Sequence, residues 1–306
     1  MEVIVAVSSR SSDGSAAIAR AALTSGGLFG TVIVVDGGTI PENLNAALAV
    51  ARGDIIVRAD TRSRLVPSHI RVTADRLTDP TIVAIGGWMH PVSDGGGEVA
   101  RGIARVHRNR WAMGGARYRS NDGTPETDTV YLGGYRRADL VAAGGWDERL
   151  AVNEDYDLHR RLAKIGTVWC ERDLQVDWLA PRQLGPLFAK FHRYGRGKVR
   201  YWRVRSERPV LRQLVSLATP PVAVLGLAGM WISTARATRR RRAAGATIAL
   251  AASGLVILDT VGGGRSRAGV RERALASLAS ALIAAGWWTG VGREWAAGTI
   301  RRGADD

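Results

Sequence analysis

The chain has little cysteine and fewer acidic than basic residues. Cys170 is its single cysteine, which excludes an intramolecular disulfide and fits a reducing compartment; we interpret it as a small buried apolar side chain. The 28 acidic residues stand against 43 lysines and arginines, giving a net charge of +15. Such a charge predicts nucleic acid, anionic lipid or a phosphorylated substrate as a partner. Helix-turn-helix, zinc-finger and RNA-binding patterns are missing, so we expect no nucleic-acid partner.

The N-terminus also lacks the features of a signal peptide. It has no charged stretch followed by a long apolar run. Residues 3–7 form a β-branched run instead, which predicts a buried strand beginning almost at the first residue.

The first half of the chain alternates in pattern between helix and strand. Helical spacing occurs at residues 15–23 and 43–51, and β-branched runs occur at 31–35 and 54–59. This rhythm predicts an α/β domain, Rossmann-like, with a mostly parallel sheet. Ligands bind at the carboxyl ends of strands in such sheets, which is where the 8–13 loop and Asp60 would lie.

The next hundred residues are less regular. We predict a helix at 68–78, a strand at 81–87 and a helix at 155–164. Residues 91–127 are rich in Gly, Arg and Asp, and we interpret them as a long functional loop or a partly ordered insertion.

The last hundred residues are apolar and interrupted by arginine-rich loops. Segments 213–235 and 274–292 carry no charge, and 243–264 carries only Asp259. Such lengths can cross a bilayer, although buried helices of a soluble domain are the alternative. Every loop is basic, so the positive-inside rule gives no orientation. We therefore predict an α/β domain at 1–205 and a membrane-associated helical region at 206–306.

Two acidic sites are candidates for chemistry. Glu154 and Asp155 are paired carboxylates at a predicted helix N-terminus, which suits proton abstraction; an ordinary N-cap with an acidic first turn is the alternative. Asp60 ends a predicted strand and is a candidate ligand for Mg²⁺ or Mn²⁺, or else a turn-forming residue. Residues 188–205 combine basic and aromatic side chains. Such a segment can bind a pyrophosphate or lie along lipid headgroups, and a solvent-exposed basic helix face is the alternative.

The stretch from Asp128 to Leu162 reads DTVYLGGYRRADLVAAGGWDERLAVNEDYDLHRRL. It resembles family 2 glycosyltransferases of the succinoglycan-synthesis type, in which D-T-V-Y-x-G-x-x-R-R leads through G-G-x-D-E to N-E-D-Y-E-L. The resemblance runs from residue 2 to about 205. Shorter matches are Leu44-Asn45-Ala46-Ala47, Gly53-Asp54, Arg58-x-Asp60, Pro181-Arg182 and Tyr194-Gly195.

The resemblance implies a GT-A fold and inversion at the anomeric carbon. Asp155 would be the general base, supported by Glu154, and Asp60 would hold the metal ion. The Gly133-Gly134 turn would border the acceptor site. Arg193 and Arg196 would lie near the diphosphate or an anionic lipid acceptor. The donor side would comprise Ser8, Asp13, Asp60 and Arg62.

Three departures from the family all affect the donor side. Residues 3–7 align with the family's second strand, so we expect its first strand and helix to be missing, either because the true start lies upstream of Met1 or because the domain is truncated. Ser8 stands where the family usually has an aspartate that contacts the nucleotide base. Arg62 stands where a histidine or aspartate is usual; an arginine cannot ligate a metal but can neutralise phosphate directly.

We therefore expect an inverting, membrane-bound glycosyltransferase. It would transfer a hexose from a nucleotide-sugar donor to a lipid-linked or polysaccharide acceptor in envelope or exopolysaccharide synthesis, at the cytoplasmic membrane with its catalytic domain facing the cytoplasm. One alternative is a degenerate, non-catalytic membrane partner in a polysaccharide assembly. Another is a basic membrane-surface protein that binds nucleic acid or anionic lipid.

Overall fold

The computed structural model describes residues 1–95, 97–109, 113, 116–119, 125–210, 213 and 269–302. The chain divides into two compact units, and each is discontinuous in sequence. The first combines Met1–Met89 with Asn121–Val176, and the second combines His90–Ser120 with Asp177–Asp306. The chain therefore passes three times between the units. The predicted domain boundary near residue 205 stays a prediction.

The first unit begins with two parallel strands. Strand β1 (Val3–Ser8) pairs with β2 (Gly30–Val35) from Val3 opposite Gly30 to Ser8 opposite Val35. Helix α1 (Ser15–Ser25) connects them, and helix α2 (Ile40–Val50) follows. Because the strands are parallel, the loops after Ser8 and Val35 leave from the same edge.

The central sheet of the first unit has five strands in the order β3-β6-β5-β7-β4. Strand β6 runs antiparallel to both β3 and β5. The core on this sheet contains Leu77, Ile82, Ile85 and Leu174. The α/β class is confirmed, and the antiparallel strand is a feature that the run of strand and helix patterns did not reveal. The strands are β3 (Ile55–Val57), β4 (Ser63–Leu65), β5 (Ile82–Val92), β6 (Tyr131–Arg136) and β7 (Thr167–Leu179).

Three helices accompany the sheet: α3 (His69–Arg76), before β5, α5 (Arg137–Ala142), directly after β6, and α6 (Glu154–Leu162), before β7. Arg136 fixes the end of α3 to the sheet, since its guanidinium donates to the carbonyls of Leu77 and Ile82, at 2.7 Å each.

The second unit contains a helix that the sequence analysis missed. Helix α4 (Gly97–Arg108) lies inside the 91–127 segment, where we had expected a loop or a partly ordered insertion. That expectation was wrong for these residues, because the high glycine and arginine content obscured an amphipathic pattern. Ala100, Ile103 and Val106 all lie on its buried face.

Two longer helices complete the described part of the second unit: α7 (Gly185–Arg205) and α8 (Val270–Arg302). Glycines let their backbones approach closely. A Cβ at Gly195 would overlap the carbonyl of Trp287, and one at Gly290 would overlap that of His192.

Within the described residues, one helix is long and apolar enough to cross a membrane. It covers Val270–Gly298, in which an 18-residue stretch has a mean hydropathy of 1.4, and it includes the predicted segment 274–292. The predicted segments 213–235 and 243–264 lie outside the described residues, apart from Gln213.

Candidate active site

A buried arginine organises the carboxyl end of β3. Arg58 follows this strand, and its backbone N–H donates to the carbonyl of Gly133 on β6, at 3.1 Å. Only 5% of its side chain is exposed. A charge at such depth is costly unless it is paired and hydrogen-bonded, so the carboxylates around Arg58 stabilise its buried charge.

Arg58 contacts three carboxylates at once. It donates to both oxygens of Asp60, from Nε at 2.9 Å and from Nη2 at 3.2 Å. Its Nη1 donates to Asp155 at 2.6 Å and to Glu154 at 3.2 Å. Burial opposes the charge on Arg58, but Asp155, Asp60 and Glu154 outweigh burial and raise the pKa of the guanidinium. Arg58 is therefore a permanent cation between the two predicted acidic sites.

The paired carboxylates lie in the first turn of α6, as predicted. Asn153 precedes them in the left-handed conformation, with φ of 69°, which asparagine tolerates better than most residues. Burial, followed by the charge of Asp155, raises the pKa of Glu154 to about 7, although Arg58 opposes the shift. Glu154 therefore takes up a proton close to neutral pH, whereas Asp155 is the more exposed of the two, at 24% of its side chain against 11%.

Trp146 is a second donor to Asp155. Its indole Nε1 donates to Oδ1 of Asp155 at 3.1 Å, the same oxygen that accepts from Arg58. Within the described part of the chain, both hydrogen bonds to this carboxylate thus end on one oxygen. Oδ2 accepts neither of them.

A buried polar chain supports these groups from the core. The Tyr135 hydroxyl lies 2.8 Å from Nε2 of His159, and the Thr129 hydroxyl lies 2.8 Å from Nδ1. Burial lowers the pKa of His159 to about 4, so its ring is neutral. These hydrogen bonds join β6 to α6. A Cβ at Gly133 would overlap the Tyr135 hydroxyl.

The predicted donor residues in the first loop are held locally. Asp13 accepts from the Ser11 hydroxyl at 2.6 Å and from the Ser15 backbone N–H at 3.0 Å, and these hydrogen bonds lower its pKa to about 2. Asp13 therefore orders the turn that starts α1. The Ser8 hydroxyl accepts from the backbone N–H of Arg10 at 3.3 Å.

A carboxylate that the sequence analysis did not name, Asp36, lies beside this loop. The Ser9 hydroxyl donates to Asp36 at 3.0 Å, and the backbone N–H of Gly37 donates to the same hydroxyl at 3.0 Å. Asp36 directly follows β2, so its position at a strand's carboxyl end was a signal available in the sequence. Arg58, Trp146 and Asn45 were also missed as site residues, although each belongs to a motif that carries the family resemblance.

The structure thus brings together only some of the predicted site residues. Asp60, Glu154 and Asp155 meet at Arg58, and Gly133 and Gly134 lie on β6 next to β3. Arg62 is exposed two residues beyond Asp60. Arg193 and Arg196 belong to the second unit, where Arg196 pairs with Glu294 at 3.0 Å.

The residues around Asp60 do not fit a divalent cation as they stand. Mg²⁺ and Mn²⁺ favour several oxygen ligands, but both oxygens of Asp60 accept from Arg58. Among the described residues, no group of three or more His, Cys, Asp or Glu side chains is arranged to hold a metal. The assignment of Asp60 as a metal ligand stays a prediction.

Comparison with known proteins confirms the resemblance predicted from residues 128–162. The chain is 36% identical over 83 residues to the succinoglycan biosynthesis protein ExoA of Rhizobium meliloti (strain 1021). This match covers 27% of the chain and 25% of ExoA, so it spans about a quarter of the relative's length. No protein-family model matches the chain.

Among solved structures, TarS residues 1–349 from S. aureus are 14% identical to this chain. The TM-score is 0.42, and the alignment covers 99% of this chain and 82% of the TarS chain.

Proposed function

We propose that the protein is an inverting glycosyltransferase in the synthesis of an exopolysaccharide or another cell-envelope glycan. The observation that carries this proposal is the position of Asp155. It lies in the first turn of α6, with Oδ1 held by Arg58 and Trp146 and Oδ2 directed to neither. The similarity to ExoA supports the same class of activity.

In the proposed reaction, the acceptor hydroxyl oxygen attacks the anomeric carbon of the donor sugar. Oδ2 of Asp155 takes the hydroxyl proton as the new carbon–oxygen bond forms. The bond from the anomeric carbon to the donor diphosphate breaks, and the nucleoside diphosphate leaves with the electron pair. Attack from the side opposite the leaving group inverts the configuration at the carbon.

The chain offers basic groups for the charge that develops on the leaving diphosphate. Arg62 is exposed near the carboxyl end of β3, and an arginine can form paired charge-assisted hydrogen bonds with phosphate. We propose that Arg62 contacts the diphosphate, because Arg58 is already committed to three carboxylates. The acceptor would be lipid-linked or a polysaccharide at the cytoplasmic membrane, and the helix Val270–Gly298 supports an association with a membrane.

A second candidate function is that of a non-catalytic partner in a polysaccharide assembly. The observation that favours it is that both oxygens of Asp60 accept from Arg58, which leaves no open carboxylate at the predicted metal position.

The experiment that separates the two candidates combines binding with turnover. The full chain in detergent is screened by thermal shift against UDP, GDP and their sugars, and each stabilising donor is then tested for transfer and hydrolysis. Stabilisation together with release of the nucleoside diphosphate is expected. Failure of every donor to stabilise the chain or to turn over would contradict the proposed enzyme.

A further inference from the structure

A carboxamide from α2 is bonded to the backbone of Trp146, 101 residues later in the chain. Nδ2 of Asn45 donates to the carbonyl of Trp146 at 2.8 Å, and the backbone N–H of Trp146 donates to Oδ1 of Asn45 at 2.9 Å. Nδ2 also donates to Oε1 of Glu148 at 2.9 Å. A carboxamide has one acceptor group and two N–H donors, and all of these functions are in use here.

The surrounding backbone is shaped to admit this side chain. Gly145 adopts φ of 63°, and a Cβ there would press against Oδ1 of Asn45. Glycine at this position therefore allows both the left-handed turn and the close approach. Asn45 and the Gly145-Trp146 turn form a fitted pair.

The pairing continues through the Trp146 ring to the proposed base. The indole is buried, with 2% of the residue exposed, and it meets the Tyr135 ring edge-on at 6.1 Å and 86°. Its N–H donates to Oδ1 of Asp155. The backbone contact fixes the position of Trp146, while Tyr135 fixes the plane of the indole.

We infer that Asn45 is a positioning residue for Asp155, acting through Trp146. This inference rests on the proposed function, in which Asp155 is the base. Two donors on Oδ1 restrict rotation of the carboxylate and keep Oδ2 in one direction. Without the indole N–H, Arg58 alone holds Asp155, and Arg58 is shared with Asp60 and Glu154. If the base is displaced from its productive position, kcat falls while the affinity for the substrate is largely unchanged.

The variants to compare are Asn45→Ala, Trp146→Phe and the control Asn43→Ala. Asn43 lies on the same helix, and its buried Oδ1 has no hydrogen-bond partner within the described residues. We expect Asn45→Ala and Trp146→Phe each to lower kcat by about tenfold with little change in KM, since small misplacements of reacting groups are costly. Asn43→Ala is expected to keep kcat within about twofold of the unaltered chain.

The decisive measurement repeats Asn45→Ala in an Asp155→Asn background, where there is no base left to position. The residual rate should then be insensitive to Asn45. An equal loss in both backgrounds, or a loss no larger than that of Asn43→Ala, would overturn the inference. Trp146→Phe retains the aromatic packing, so it supplies the kcat test even if Asn45→Ala fails to fold.

A second readout does not depend on turnover. The indole resonance of Trp146 in the ¹⁵N spectrum of the full chain, identified by its loss in Trp146→Phe, should move in Asp155→Asn and in Asn45→Ala but not in Asn43→Ala. An unaltered chain that turns over no donor would contradict the proposed function. The indole resonance would still test the linkage, and an unmoved resonance in Asn45→Ala would overturn it.

Discussion

The N-terminal region (residues 3–37) and the carboxylate centre (Arg58, Asp60, Trp146, Glu154 and Asp155) differ in how their polar groups are held. In the N-terminal region, Asp13 is bonded to serines two residues away, and α1 buries none of its described side chains. In the carboxylate centre, hydrogen bonds join residues 96 and 97 positions apart at a buried arginine.

The difference concerns preorganisation. The carboxylate centre is set before any ligand arrives, because moving one of its members leaves a buried charge unpaired. The N-terminal region has apolar side chains in solvent, including Phe29 at 71% and Ile18 at 66% exposure, and its polar groups are exposed. We therefore expect damage to the centre to affect rate and stability, and damage to the N-terminal region to affect donor binding.

The contrast predicts the largest effect for Asp155→Asn. Loss of the base should lower the rate of transfer by roughly 10²- to 10⁴-fold, while circular dichroism shows an unchanged fold. The exposed Asp75 on α3 provides the control, and Asp75→Asn should transfer normally. Undiminished turnover by Asp155→Asn would contradict the assignment of the base.

Arg58→Met tests the stability of the centre. Breaking a buried ion pair typically costs about 3–5 kcal/mol, so the midpoint of urea unfolding should fall sharply. The matched control is Arg71→Met, because Arg71 and Asp75 form an exposed pair at 3.9 Å and such pairs contribute about 0–1 kcal/mol. Equal losses of unfolding free energy in the two variants would contradict a stabilising role for the ion pairs between Arg58 and its carboxylates.

Glu154→Gln tests the buried carboxyl through pH. The pKa of Glu154 is raised in the folded state from 4.5 to about 7, so the folded state binds the proton more tightly than the unfolded state. The free energy of unfolding should therefore fall as pH rises from about 4.5 to about 7. Urea titrations across this range should show a smaller decline in Glu154→Gln than in the unaltered chain. Identical pH dependence of the two would contradict the raised pKa of Glu154.

Asp36→Asn tests the N-terminal region. We expect little change in the Tm of the free chain, since Asp36 is exposed and bonded to a single serine in the described structure. The Tm increase produced by saturating UDP or GDP should shrink, because the side chain lies at the carboxyl edge of two parallel strands, where nucleotides bind. A large Tm loss without ligand would instead assign Asp36 a structural role.

Chelation should have the smallest effect. With Arg58 bonded to both oxygens of Asp60 and Arg62 nearby, we expect EDTA to leave the transfer rate nearly unchanged. The rate is measured after chelation and again after Mn²⁺ is restored. Complete loss on chelation with recovery on adding Mn²⁺ would restore the prediction that Asp60 binds a metal.

Local patterns in the sequence were enough for much of the fold. The β-branched runs predicted β1, β2 and β3 to within a few residues, and helices α1, α2 and α6 followed from spacing and turn residues. The position of Glu154 and Asp155 at the start of α6 was predicted because a carboxylate pair at a helix start is itself a local signal. Cys170 is buried, as expected, and burial raises the pKa of its thiol to about 12.

Patterns of composition were less dependable than patterns of spacing. Glycine and arginine concealed α4, because its apolar stripe is made largely of small residues. The donor-side residues were assigned by alignment with the family; the structure shows that Asp13 orders a local turn, and its donor-side role stays a prediction.

The sequence by itself determined the α/β class, the start of α6 and the carboxylate pair, because each depends on residues within one or two turns of the chain. Only the tertiary structure decided which groups meet that pair. Arg58 reads as an ordinary strand-end cation and Asn45 as an ordinary helix residue until folding places them against Asp155 and Trp146. Contacts across about a hundred residues depend on the packing of β3, β6, α2 and α6, which no local pattern encodes.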